Sequence, residues 1–147
     1  MSQLVIAKLL HLVAISIWIG GGLHAILDAR YSLRREKPHL EAFVERMRAA
    51  GRTLLAAGLV AFATGLWLVA IKGGFKALPP RIHAGMGVTI LIFAVGPFTF
   101  VALSRLGEAL SRDDAAGVAA SSRRFRVLAW IEELLRVAVL GLMVSPL

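Results

Sequence analysis

Long apolar stretches without charge dominate the chain and predict its helices. Three of them contain no Asp, Glu, Lys or Arg, at residues 9–27, 53–71 and 82–104. Each is as long as a bilayer-spanning helix, which needs roughly 17–25 residues. Because the apolar residues run continuously and do not alternate with polar ones, the pattern favours helices over the strands of a membrane β-barrel.

A fourth stretch, residues 127–147, is also long enough, but it carries Glu132, Glu133 and Arg136. We interpret it as a fourth helix and predict an all-α fold, an integral membrane four-helix bundle that forms one domain over residues 1–147. The first span could be taken for a signal peptide, but further spans follow it, so we expect it to be retained. The predicted spans lie near residues 4–28, 52–72, 82–104 and 124–146.

The segments between the spans carry their own signals. Residues 39–51 are rich in helix formers and predict a cytoplasmic helix that leads into the second span. The proline pair at 79–80 suits a turn just before the third helix, and the aspartate pair at 113–114 marks a short third loop. The Gly-Pro step at 96–97 predicts a kink in the third helix.

Basic residues determine the predicted topology. Twelve lie in the first and third loops and their flanks, and four lie near the N terminus or the second loop. Since cytoplasmic loops are enriched in Lys and Arg, we place the first and third loops in the cytoplasm and both termini on the outer, periplasmic side of a bacterial inner membrane. The twelve are Arg30, Arg34, Arg35, Lys37, Arg46, Arg48, Arg52, Arg105, Arg112, Arg123, Arg124 and Arg126.

Composition supports a membrane protein and excludes several other classes. Hydrophobic residues make up 58% of the chain and charged residues 18%, whereas soluble domains are about 45–50% apolar and about 25% charged. The net charge of +8 is explained mainly by topology, so we expect the lipid bilayer and no nucleic acid as a partner. The absence of cysteine excludes disulfides, thiolate zinc sites, iron–sulfur clusters and a cysteine nucleophile.

Two histidines are the candidate ligands for a metal or a haem. His11 lies within the first helix with Trp18 and Gly22 on the same face, and His83 begins the third helix. Both helices start on the predicted outer side, so the two histidines could ligate one metal or one haem between them. A histidine within a membrane helix is rare and often functional, and the alternative role is a hydrogen bond across helices.

Glu132, Glu133 and Arg136 form a compact charged set in the fourth helix. Their spacing places both carboxylates within reach of the guanidinium, which lowers the cost of burying it. Three roles stay open: an internally satisfied packing set, an acid for proton transfer, or, for Arg136, a clamp on an anionic group such as a haem propionate. The glycines at 20–22 allow close approach of a helix or a flat cofactor, and could also form a homodimer face.

The most specific stretch is residues 10–21, LHLVAISIWIGG. It resembles the first helix of the HemJ-type protoporphyrinogen oxidases, which bind haem, and of the copper-resistance protein D family, within a superfamily of small four-helix bacterial membrane proteins. The length, residues 124–128 and the end at 145–147 are also similar to the HemJ type. The resemblance implies that His11, and His83 in the third helix, are the ligands, while Gly85 stands where that family carries a lysine.

Three functions stay open on this basis. The first is a b-type haem protein with a redox, electron-transfer or tetrapyrrole-related role; as an enzyme it would pass electrons from a substrate to a membrane acceptor. In it His11 and His83 ligate the iron, Trp18 and Gly22 line the site, and Arg136 holds an anionic group. The second is copper transport or resistance with both histidines as ligands, although the sequence has no closely spaced methionine pair. The third is a cofactor-free membrane partner subunit.

Overall fold

The computed structural model describes residues 2–144, and the chain there folds into four long helices. This confirms the predicted all-α class with four long helices. Met1 and residues 145–147 lie outside the described residues. Residues 145–147 are part of the similarity to the HemJ type noted above. The helices are α1 (Gln3–Ser32), α2 (Lys37–Ile71), α3 (Pro80–Ser111) and α4 (Ala115–Val144).

The helices extend further than the predicted spans. Residues 39–51 are helical and lead directly into the second span, as predicted, because α2 is one helix of 35 residues, roughly 50 Å long at 1.5 Å per residue. α3 continues as one helix through Pro97 to Ser111, and α4 begins at Ala115 instead of residue 124. The predicted boundaries stopped near the first charged residues, whereas the helices continue beyond them.

The connections follow the local signals in the sequence. After α2, Gly73 and Gly74 have φ angles of +95° and +84°, which glycine adopts without steric cost. One turn of 3₁₀ helix at Phe75–Ala77 follows, and Pro80 is the first residue of α3, where its missing N–H removes no helix bond. The turn between α3 and α4 contains Asp113, as its aspartate pair predicts.

The bundle is built from two well-packed helix pairs. α1 packs along α2 and α3 along α4, while contacts of α2 with α3 and of α1 with α4 close the ring. We call the end that carries the α1–α2 and α3–α4 connections the basic end, and the opposite end the terminal end. A salt bridge joins Lys37, the first residue of α2, to Asp113 in the α3–α4 turn, and its hydrogen bond raises the pKa of Lys37.

The basic end has a hydrophobic core of its own. Phe43 of α2 is fully buried and meets Phe125 of α4 edge to face, with ring centroids 5.5 Å apart. Leu106 of α3 is also fully buried in this cluster. Arg46 donates two hydrogen bonds of 2.9 Å to the carboxylate of Asp28, which ties α2 to the end of α1. The first half of α2 is therefore an integral part of the bundle.

Outward-facing positions of the bundle are largely apolar, while its most strongly charged cluster is inside. α1, α2 and α3 are each long and apolar enough to span a membrane. α4 falls outside that group because of its charged residues, yet three of those are buried and its outer face carries Ile131, Leu134, Val137 and Leu140. Leu134 has 62% of its surface exposed, against 4% for Glu133. This distribution is the reverse of the one in a soluble helical bundle.

Candidate functional site

A buried cluster of three charged side chains lies near the middle of α4. Arg136 donates from Nη2 to Oε2 of Glu132 at 2.7 Å and from Nη1 to Oε2 of Glu133 at 3.0 Å. All three residues are buried. The i,i+3 and i,i+4 spacing in the sequence predicted this pairing, and the structure confirms it.

Side chains from two other helices surround this cluster. The Thr99 hydroxyl of α3 donates a hydrogen bond to Oε1 of Glu132. The Trp18 ring of α1 lies under the Arg136 guanidinium, with its centroid 5.4 Å from Cζ, a distance suited to a cation–π contact. The sequence gave Thr99 no role, since nothing in its local pattern indicates which carboxylate on another helix it meets.

Gly22 of α1 provides the space that the cluster occupies. A Cβ atom at this position would lie 2.1 Å from Oε2 of Glu133 and 2.4 Å from Nη1 of Arg136. Both distances are far below van der Waals contact, so a larger residue would displace the charged groups. The structure therefore brings three predicted site residues together, namely Trp18, Gly22 and Arg136, and does so around the ion cluster.

A layer of aromatic rings fills the bundle beside the cluster. Trp18 stacks on Phe93 of α3 with centroids 6.0 Å apart, and Phe62 of α2 meets Phe93 edge to face at 6.0 Å. Gly58 accommodates both rings, because a Cβ there would lie 2.9 Å from Nε1 of Trp18 and 3.2 Å from Cε1 of Phe93. At this depth the space between the helices is occupied by protein.

His11 is half-buried between α1 and α2, on the terminal side of the aromatic layer. Its Nδ1 lies 2.9 Å from the carbonyl oxygen of Ala61 and 3.1 Å from the hydroxyl of Thr64. Thr64 lies 2.7 Å from the Val60 carbonyl and donates its own proton there. A carbonyl oxygen only accepts, so Nδ1 carries the proton. In the neutral ring Nε2 then holds the free lone pair, which is the tautomer that ligates a metal through Nε2.

The other histidines have different surroundings. His83 is exposed at the start of α3, and its ring lies 6.2 Å from that of Phe75 in the α2–α3 connection. His24 and His39 are also exposed. The hydrogen bonds of His11 go to α2 and the ring contact of His83 goes to Phe75, so the predicted pairing of these two histidines stays a prediction. Within residues 2–144, the structure contains no group of three or more His, Asp or Glu side chains suited to a metal ion.

The cluster has a defined chemical capacity. Each Nη atom of Arg136 donates one of its two N–H groups to a glutamate, and the buried Nε has no hydrogen-bond partner among the described residues. With two carboxyl groups and one guanidinium, the cluster can hold a proton and still keep one ion pair. For a clamp role on a propionate, Arg136 has three N–H groups that the glutamates do not use, one on Nε and one on each Nη.

Comparisons with known proteins give no match for this chain. No protein-family model, no curated protein and no solved structure matches the chain.

Proposed function

We propose that this chain is an integral protein of a bacterial inner membrane that binds a b-type haem through His11 and takes part in electron transfer or a tetrapyrrole-related redox step. The observation that carries the proposal is the hydrogen bonding of the His11 ring. A bond from Nδ1–H to a backbone carbonyl is the usual arrangement behind a metal-ligating histidine, because it fixes the ring and increases the basicity of Nε2.

Membrane insertion is supported by the apolar outer face of every helix. The bilayer accepts apolar side chains, whereas a soluble protein rarely exposes contiguous apolar patches of more than a few hundred Å². Large exposed apolar residues recur on the outer face of each helix, including Leu12 on α1, Leu59 on α2, Phe98 on α3 and Leu134 on α4. The four spans predicted from the apolar stretches, and the outer termini predicted from the basic residues, complete this part of the proposal.

The hydrogen bonds of His11 fit a histidine that would hold a haem. Thr64 and Ala61 hold one edge of the ring, and the ring packs directly against Gly65, where a Cβ would lie 3.3 Å from Cε1 of His11. The rings of Trp18 and Phe93 fill the neighbouring layer, so the haem would lie on the terminal side of them. His83 is the proposed second ligand, and a bound haem b would supply one-electron chemistry.

One observation favours a second candidate, the cofactor-free partner subunit. The same hydrogen bond that orients His11 also joins α1 to α2, and the glutamates of the ion cluster are satisfied within the protein. A histidine that only joins helices needs no ligand at Nε2. The two candidates therefore differ in what binds to the ring and agree on its position.

The visible spectrum of the detergent-purified protein separates the candidates. The haem proposal predicts a Soret band that shifts when dithionite is added, with haem b identified as its pyridine complex. A colourless protein that retains copper in elemental analysis would instead favour the copper function. A colourless and metal-free protein from haem-supplemented cells would contradict the proposal and favour the partner subunit.

A further inference from the structure

A cavity of about 290 Å³ lies between α1 and α4 at the basic end of the bundle. Arg30 of α1, Arg34 of the α1–α2 connection and Arg126 of α4 line it. Arg30 lies in the last turn of α1, and Arg34 follows in the connection to α2, two residues after the helix ends. An adjoining cavity of about 370 Å³ shares Arg30 and Arg34.

The positive charge in this cavity is not compensated by protein. Among residues 2–144, Arg30, Arg34 and Arg126 have no salt bridge or side-chain hydrogen bond, and no Asp or Glu lines the cavity. The nearby carboxylate of Asp28 is already bound by Arg46. Three arginines that line one cavity without an anionic partner can provide a site for an anion, and their planar donors match the oxygens of a phosphate.

The rest of the lining is apolar. Ile26, Ala29 and Ala129 line the cavity, and Trp130 stands beside Arg126 with 52% of its surface exposed. Tryptophan and arginine side chains are both typical of the headgroup region of a bilayer. From Trp130 the exposed apolar side of α4 continues through Leu134 and Val137, which gives an acyl chain a surface to follow.

We propose that this cavity binds the phosphate of an anionic phospholipid, with Arg30, Arg34 and Arg126 on the headgroup and Trp130 beside the start of an acyl chain. Basic pockets between membrane helices on the cytoplasmic side are known to take anionic lipid headgroups. The arginines account for the phosphate, and the apolar lining and its continuation along α4 favour a lipid over a free anion. The proposal requires membrane insertion and is independent of haem binding by His11.

Lipid binding to the purified protein tests the proposal. Native mass spectrometry of the detergent-solubilised chain would be run with phosphatidylglycerol, with phosphatidylcholine and with inorganic phosphate. We expect phosphatidylglycerol to bind preferentially. The double variant Arg30→Gln/Arg126→Gln should weaken that binding by about tenfold or more for each arginine removed, because a charged hydrogen bond contributes at least that factor.

The control is Arg124→Gln, which removes the same charge from an exposed position of α4 outside the cavity. It should leave phosphatidylglycerol binding unchanged within about twofold. The variant Arg30→Lys/Arg126→Lys keeps the charge but loses the planar donors, and it should bind the lipid more weakly than the wild type.

Four results would overturn the proposal. The first two are equal binding of phosphatidylglycerol and phosphatidylcholine, and an equal loss of phosphatidylglycerol binding in the double variant and in Arg124→Gln. The third is wild-type binding of phosphatidylglycerol by the lysine variant. The fourth is competition of inorganic phosphate with the lipid at equal concentration. The last result would assign the cavity to free anions. Because no result depends on bound haem, failure here is distinguishable from failure of the haem proposal.

Discussion

At the scale of single residues, the candidate site depends on a few close contacts between helices. The sequence predicted that Glu132 and Glu133 pair with Arg136, because helical spacing alone brings them together. It also predicted that Trp18 and Gly22 share a face of α1. It could not predict that this face meets Arg136, since the relative register of two helices is set by packing over their whole length.

Substitution of Gly22 tests whether the ion cluster needs this space. Gly22→Ala should lower the free energy of unfolding in detergent by about 1–3 kcal/mol, and the melting temperature with it, because the added methyl group would displace Glu133 and Arg136. Gly20→Ala is the matched control, since a Cβ there has nothing within 4 Å. Equal melting temperatures for both variants would show that the cluster is not held against α1.

Removal of Arg136 tests what holds the cluster together. Arg136→Leu leaves two buried carboxylates without a cation and should destabilise the protein by about 3–5 kcal/mol. Protonation of the two carboxylates reduces this loss of stability. The triple variant Glu132→Gln/Glu133→Leu/Arg136→Leu should recover much of that loss if the cluster is only structural. A triple variant that is stable but binds little haem would support the clamp role of Arg136. One that keeps normal haem and redox activity would exclude all three residues from the functional site.

At the scale of the helices, the sequence predicted the type of each element better than its length. Uncharged stretches located α1, α2 and α3, because the bilayer core excludes unpaired charge. The start of α2 was missed as part of the bundle because residues 39–51 are charged on one side. Their other side carries Leu40, Phe43, Val44 and Met47, all buried, and that 3.6-residue periodicity was the available signal.

Truncation of Phe43 tests whether this first half of α2 belongs to the core. Phe43 is fully buried against Phe125, so Phe43→Ala should destabilise the protein by about 3–5 kcal/mol. His39→Ala lies on the same segment at an exposed position and should leave the melting temperature within a degree or so of the wild type. A neutral Phe43→Ala would mean that residues 37–51 do not pack as described.

At the scale of the whole molecule, the account requires a membrane around the bundle. Most charges lie inside the bundle or at the basic end, four basic residues lie at the terminal end, and large apolar side chains are exposed along each helix. Hydropathy and the distribution of arginines already predicted this arrangement. The proposed lipid site was beyond sequence reasoning, because it depends on α1 and α4 being neighbours at one end of the bundle.

Topology reporters test the orientation. A reporter that works only in the cytoplasm should be active when it is inserted beside Lys37. A reporter that works only in the periplasm should be active when it is fused after Leu147, because twelve basic residues lie at the basic end against four at the other. The opposite pair of activities would reverse the assignment, and both reporters on one side would contradict an even number of spans.

The most direct test of the central claim is the haem content of the His11→Ala variant compared with His24→Ala, each measured as the pyridine complex per mole of purified protein. His24 is the matched control, since it lies on the same helix but is exposed towards the basic end. The account predicts that His11→Ala loses most of the bound haem while His24→Ala retains it, with a smaller loss or a changed spin state in His83→Ala. Haem retained in His11→Ala and lost in His24→Ala, or no haem in the wild type, would contradict it.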